Sequence, residues 1–116
     1  MATITATITE PRANYNTAYR IFWEQINQDD TGGSTAVPHP IKHATAVFQG
    51  TFDTGTYTLQ GSVDGGTTFH TIKDINGNSV AATANAIFEF KSNVAHLQVA
   101  VAGGTTEDVD VYVDIV

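Results

Sequence analysis

The sequence predicts an all-β protein, a jelly-roll-like antiparallel β-sandwich of about eight strands. Three observations lead there. Apolar and polar residues alternate along most of the chain, as in strands with one buried face. Turn-forming residues interrupt that alternation at close, regular spacing. No segment keeps a helical period convincingly, and a run of short strands without helices is the pattern of a sandwich or barrel.

Each element follows from local chemistry. Residues 2 to 9, ATITATIT, alternate strictly, with Ala2, Ile4, Ala6 and Ile8 on one face and four threonines on the other. Thr is β-branched and favours extended chain, and Pro11 ends the segment. It reads either as an edge strand or as an arm that pairs with a neighbouring subunit. On that basis residues 1–16 form an N-terminal strand or arm and residues 17–116 form the sandwich. Thr3, Ile4, Thr5 and Ile8 are the candidate partner-binding residues.

Residues 18 to 26, AYRIFWEQI, fit both periods, because Tyr19 and Trp23 align either way. Their aromatic and β-branched content favours a strand. Gln28 to Pro40, QDDTGGSTAVPHP, reads as a turn-rich connection without regular structure. Further strands are expected at 44–48, 56–63, 69–72, 86–90, 94–101 and 108–116. The breaks between them carry Gly, Asn, Asp or Ser.

Thr56 to Ile72, TYTLQGSVDGGTTFHTI, is the clearest hairpin. Asp64-Gly65-Gly66 supplies the turn, and Gly65 or Gly66 is expected at positive φ. Leu59 and Val63 are expected in the core, with Gln60 and Ser62 outward and Phe69 returning an aromatic to the core. Gly61 stands where another chain comes close or a bulge forms. Gly61, Ser62, Asp64, Gly65 and Gly66 thus make a structural turn motif.

The chain has 116 residues, enough for one core. Apolar residues are 41% of it, too many for a disordered chain. Charged residues are only 15%, against an ordinary level of about 25%. The surface must therefore be rich in Thr, Asn, Gln, Ser and Gly. Net charge is -7, from 12 acidic and 5 basic side chains, which disfavours nucleic acid and anionic membrane. There is no cysteine, so disulfides and thiolate metal sites are excluded. MATITATITEPR has no basic n-region or apolar h-region, so no signal peptide is expected. No run approaches the ~20 apolar residues of a membrane helix.

Candidate chemistry is sparse. His39 and His43 are four apart, a helical metal spacing, but Pro38 and Pro40 oppose a helix. Asp74, Asn76 and Asn78 place oxygens at alternate positions, like the start of a calcium loop. Glycine sits fourth rather than sixth, however, and Asn85 stands at the twelfth position. A type I′ turn on Asn76-Gly77 is the simpler reading. Asp108, Asp110 and Asp114 share one face of the last strand, with Val109, Val111, Val113 and Ile115 on the other. Alternate strand positions are roughly 7 Å apart, so the three acids read as a solvated face that guards an edge. No enzyme motif occurs, and the four histidines, with His70 and His96, are scattered. The expectation is a protein with no catalytic residues, cofactor or metal.

One resemblance adds to this reading. Tyr19 and Trp23, Gln28 to Gly32, Val47 to Phe52, Thr58 to Gly65, Phe69, Asp74 to Gly77 and Val101 to Gly104 together resemble a family of small β-sandwich structural proteins in tailed-bacteriophage virions. That family's pattern joins Gly-Thr-Phe to a following Leu-x-Gly-Ser-x-Asp-Gly. The likeness spans about residues 19 to 116. Phe69 stands where the family often has tryptophan, and Gly66 lengthens the turn. The resemblance implies a capsid decoration, or cement, protein on the outer head surface. Its implied partners are the major capsid protein and further copies of itself, as a homo-oligomer and most simply a trimer. Such modules also occur in tails and fibres. The alternative is therefore a tail- or fibre-associated binding module that takes carbohydrate, with Trp23 and Tyr57 as candidate platform aromatics. The expectation that the chain ends at Val116 favours the decoration role.

Overall fold

The computed structural model describes residues 3–9, 19–27, 30–37, 41–103 and 107–115. Among these are eleven strands and no helix. They are β1 (Thr3–Ile4), β2 (Thr7–Thr9), β3 (Tyr19–Asn27), β4 (Thr31–Ala36), β5 (Ile41–Thr51), β6 (Thr56–Ser62), β7 (His70–Thr71), β8 (Ala81–Ala82), β9 (Ala86–Ser92), β10 (His96–Ala102) and β11 (Asp108–Ile115). One sheet has the order β1-β4-β10-β6-β7, with β8 also on β6, and the other β2-β3-β11-β5-β9.

The wrapping is that of a jelly roll. β3 pairs β11, β4 pairs β10, β5 pairs β9 and β6 pairs β7, all antiparallel. These are nested hairpin partners, so the chain folds as one long hairpin rolled into two sheets. The innermost pair is the Thr56 to Ile72 hairpin. Alternate residues of each strand turn inward and meet in one core, in which Trp23, Tyr57, Phe48, Phe90, Leu59 and Leu97 are fully buried. Val109, Val111, Val113 and Ile115 line its floor as the alternation predicts.

The two ends of the N-terminal segment join different sheets. β1 runs parallel to β4, with Thr3 opposite Thr31, while β2 is antiparallel to β3, with Thr7 opposite Phe22. The segment thus crosses from one sheet edge to the other within its own chain. Ile4 and Ala6 pack on the core, and Ile8 is 39% exposed.

Several local expectations are corrected. The stretch 28–40 contains β4, whose Gly32 and Gly33 take part in the sheet. A side chain at Gly32 would fall 2.7 Å from Val99 Cβ, and one at Gly33 would fall 2.9 Å from Thr3 Cγ2. Glycine here permits close packing rather than a turn. The Trp23 indole donates to Gly33 O at 2.9 Å, fixing the strand over the core. Trp23→Phe should therefore lower stability by about 1–3 kcal/mol, because a partly buried carbonyl loses its donor. Urea denaturation measures this, and an unchanged midpoint would refute the role of that bond.

β11 lies between β3 and β5, so its acidic face guards no edge. β3 also carries a bulge. Gln25 has φ 55, the register with β11 shifts there, and Ile26 becomes the next buried residue. Asp110 accepts the Gln25 amide at 2.8 Å.

Candidate docking face and turn motif

The turn motif is a network built on two side chains. β6 ends at Ser62, which is buried, and the chain bends there, leaving Val63 76% exposed. The expected core place of Val63 and outward place of Ser62 are thus reversed. The Ser62 hydroxyl donates to Asp64 Oδ1 at 2.6 Å and accepts the amides of Asp64 and Gly66. Asp64 Oδ1 also accepts the amides of Thr67 and Thr68. Gly65 and Gly66 both have positive φ, 81° and 90°. A Cβ on Gly61 would meet Val94 Cγ1 at 2.6 Å and Ile72 Cδ1 at 2.8 Å, so close approach is its reason. Phe69 is only half-buried and lies outside the core. Ile72 fills that place instead, its amide bonded to Leu59 O.

The Ser62 hydroxyl, then the Thr68 amide, hold the Asp64 carboxyl well below the ordinary carboxylate range. A depressed folded value adds stability above the ordinary value of 3.8 and loses it as pH falls below that point. The melting difference between the protein and Asp64→Asn should be constant near neutrality and close progressively below pH 3.8. Melts across acid pH test this, and a difference that widens on acidification would contradict it.

The Asp74 segment is also a turn, though not type I′. Gly77 donates to Asp74 O at 3.0 Å, and of its residues only Gly77 has positive φ. This is a type I turn followed by a left-handed glycine. Asp74 Oδ1 accepts the amides of Asn76 and Asn78 at 2.8 and 2.9 Å. His43 lies on β5 with its Nε2 3.2 Å from Glu89 Oε1, while His39 lies outside the described residues. Among the described residues no group of three His, Asp or Glu side chains is placed to hold a metal.

The outward faces of the two sheets differ. On the β6–β10 side, Gln98 donates to Gln60 at 2.7 Å and Ala100 lies opposite Thr58, giving a polar, low-charge face. On the other sheet the register aligns Thr7, Phe22, Tyr112, Val47 and Ile87 in one row across all five strands. At ordinary strand spacing that row is about 20 Å wide. Phe22 and Tyr112 stack with centroids 4.4 Å apart and planes at 6°. Arg20 lies 5.1 Å over the Tyr112 ring and holds Asp114 through two bonds, of 2.7 and 3.1 Å. The row ends at Ile87, 70% exposed, and Ile75, 61% exposed, lines the same hollow. Within the row Thr7 and Ile87 are exposed and Phe22, Val47 and Tyr112 are half-buried, so the strip is a candidate interaction face. Nothing in the sequence joins these five residues, because the row exists only once strand order and register are known.

Among the proposed partner residues, Thr3 and Thr5 are exposed and Ile4 is half-buried. Thr3 and Ile4 are on the edge strand of one sheet, and Ile8 is on the edge strand of the other, beside Thr7 of the row. Trp23 and Tyr57 are fully buried. Tyr57 donates to Ile26 O at 2.7 Å, so neither ring can serve as a sugar platform.

Comparison with known proteins gives a likeness of fold. The structure is similar to the SPBc2 prophage-derived protein YomS, with a TM-score of 0.61 and 11% identity over 90% of this chain and 98% of that one. A chitosan-binding module from a Paenibacillus sp. IK-5 chitosanase/glucanase aligns with a TM-score of 0.43 and 12% identity, over 97% and 95% of the two chains. A cupin protein from Bacteroides fragilis aligns with a TM-score of 0.41 and 9% identity, over 95% of this chain and 75% of that one. No family model and no curated protein matches the sequence.

Proposed function

We propose that this protein is a structural component of a tailed-phage virion, a decoration protein that seats on the outer head surface and bridges capsid subunits. The observation that carries the reading is the row from Thr7 to Ile87, whose Phe22, Tyr112, Val47 and Ile87 form a partly exposed apolar strip across one sheet. The virion context draws support from the Leu59 to Gly65 motif and from the full-length likeness of fold to a prophage-derived protein. The row is flanked by the Arg20–Asp114 pair and by Asp110, so an apolar centre has a polar rim. The edges at β1 and β2, with Thr3, Ile4, Thr5 and Ile8, would take a strand of a neighbouring subunit. Many copies on a lattice then bind by avidity, so each contact can be weak.

A glycan-binding fibre module is less well served. The two aromatics that the sequence offers for sugar stacking are buried, and the Phe22 and Tyr112 faces are engaged with each other and with Arg20.

Purified protein mixed with heads lacking it should co-sediment with them. Ile87→Asp, at a mostly exposed position, should keep the fold and weaken binding about tenfold or more, since a tenfold loss needs only about 1.4 kcal/mol. Wild-type affinity in the variant, or wild-type protein that stays with tails or glycans instead, would overturn the reading.

A further inference from the structure

Two large apolar side chains stand out of the surface side by side. Ile75 is 61% exposed and Ile87 is 70% exposed, and both line one hollow at the end of the docking row. The hollow lies between the edge strand β9 and the Asp74 turn. The Ile75 amide donates to Glu89 O at 2.9 Å, which pins the turn to the strand and fixes the hollow's shape. Its volume is about 230 Å³, below the roughly 300 Å³ at which small-molecule sites begin. It has room for one side chain rather than for a whole ligand.

The polar lining is acidic. Half-buried Asp74 and exposed Glu89 border the hollow, with Thr45 and Asn76. Each carboxylate has one oxygen engaged. Asp74 Oδ1 holds the amides of Asn76 and Asn78, and Glu89 Oε1 lies 3.2 Å from His43 Nε2 on β5. Asp74 Oδ2 and Glu89 Oε2 have no hydrogen-bond partner among the described residues. The other charges nearby are directed elsewhere. Asp114, across Thr45, is held by Arg20. Lys73 donates to Ser79 Oγ at 3.0 Å, and Lys42 and Lys91 border two other hollows.

We infer that this hollow receives a lysine side chain of the protein surface on which the docking row sits. The methylene stem lies along Ile75 and Ile87, and the ammonium meets Asp74 Oδ2 and Glu89 Oε2. Apolar walls alone would take any aliphatic side chain, and the two acids select one that ends in a cation. Lysine fits better than arginine. A guanidinium is strongest when it grips both oxygens of one carboxylate, and here each carboxylate offers a single oxygen. An ammonium is a compact donor whose three N–H groups reach single oxygens on different residues. The lysine site rests on the docking-face reading and adds to it the chemistry of the partner.

The test titrates the full chain with a blocked lysine, Nα-acetyl-lysine methylamide, and follows the Ile75 and Ile87 methyl resonances. Both should shift and saturate at about millimolar probe, the range of a single side-chain contact. Nα-acetyl-norleucine methylamide keeps an aliphatic stem without the charge and should bind about fivefold more weakly or worse. Glu89→Gln, at an exposed edge position, should keep the β spectrum and weaken the lysine probe about two- to fivefold. Equal binding of the two probes, shifts that never saturate, or an unchanged affinity in Glu89→Gln would each overturn the inference. Calcium that moves the same methyls at micromolar concentration would also overturn it, because the hollow would then be an inorganic cation site. Co-sedimentation with heads separates this site from the reading beneath it. Heads that bind wild type and Glu89→Gln alike would overturn the lysine contact and leave the docking face standing. A chain that binds the lysine probe at these methyls but no head would overturn the head reading and leave the lysine hollow standing.

Discussion

Gly50→Ala should lower stability by about 3 kcal/mol or more, the largest loss expected of a methyl added at any described glycine. Gly50 has φ 139, a conformation open to glycine and little else. A Cβ there would collide with Asp108 O and lie 3.0 Å from Val109 Cα. Both are backbone atoms of the neighbouring central strand, which cannot step aside without breaking its ladder to β5. The Gly50 amide also donates to Asn85 Oδ1 at 3.0 Å. Gly77→Ala is the natural comparison. Its φ is 84°, yet nothing lies within 4 Å, so only the left-handed backbone cost of about 1–2 kcal/mol applies. Thermal melts should show Gly50→Ala shifted down by about 10 °C or more, and Gly77→Ala by clearly less. Equal shifts would mean that the close approach of β5 to β11 is wrong.

Glu107→Gln should raise stability, by about 1–3 kcal/mol near neutral pH. Burying an ion without a partner costs several kcal/mol even after relaxation, against about 1–3 kcal/mol for the equally unpaired amide of the same shape. The side chain is packed against Gly55, where an added Cβ would fall 2.7 Å from Glu107 Oε2, so a larger residue would not fit. A gain on removing a carboxylate is unusual for a structural residue. A Glu107→Gln protein that melts lower than wild type would show instead that the carboxylate is paired.

The fold was largely legible because a jelly roll is written in two local signals. Period-two alternation marks strands such as 108–115, and Asp, Asn and Gly mark the turns between them. The Gln25 bulge was hidden, since a one-residue shift leaves no compositional trace. Gly32 and Gly33 were misread because glycine serves both turns and close strand packing, and only the neighbour across the sheet tells which. Ser62 and Val63 exchanged places because two hydrogen-bonding side chains at the turn outweighed the burial of one valine. Asp74 and Asn76 resembled a calcium loop because turn chemistry and calcium chemistry use the same oxygen donors. The docking row could not be read at all. Thr7, Phe22, Val47, Ile87 and Tyr112 come from five separated segments, and register alone makes them neighbours.

The central claim is that this sandwich decorates a phage head through one sheet face. Electron cryomicroscopy of the parent virion tests it most directly. The account predicts density for a small β-sandwich at repeated positions on the outer head, with the face carrying Phe22, Tyr112, Val47 and Ile87 against the shell. Density for this chain confined to the tail or fibres, or head density with the Gln60–Gln98 face turned to the shell, would contradict it.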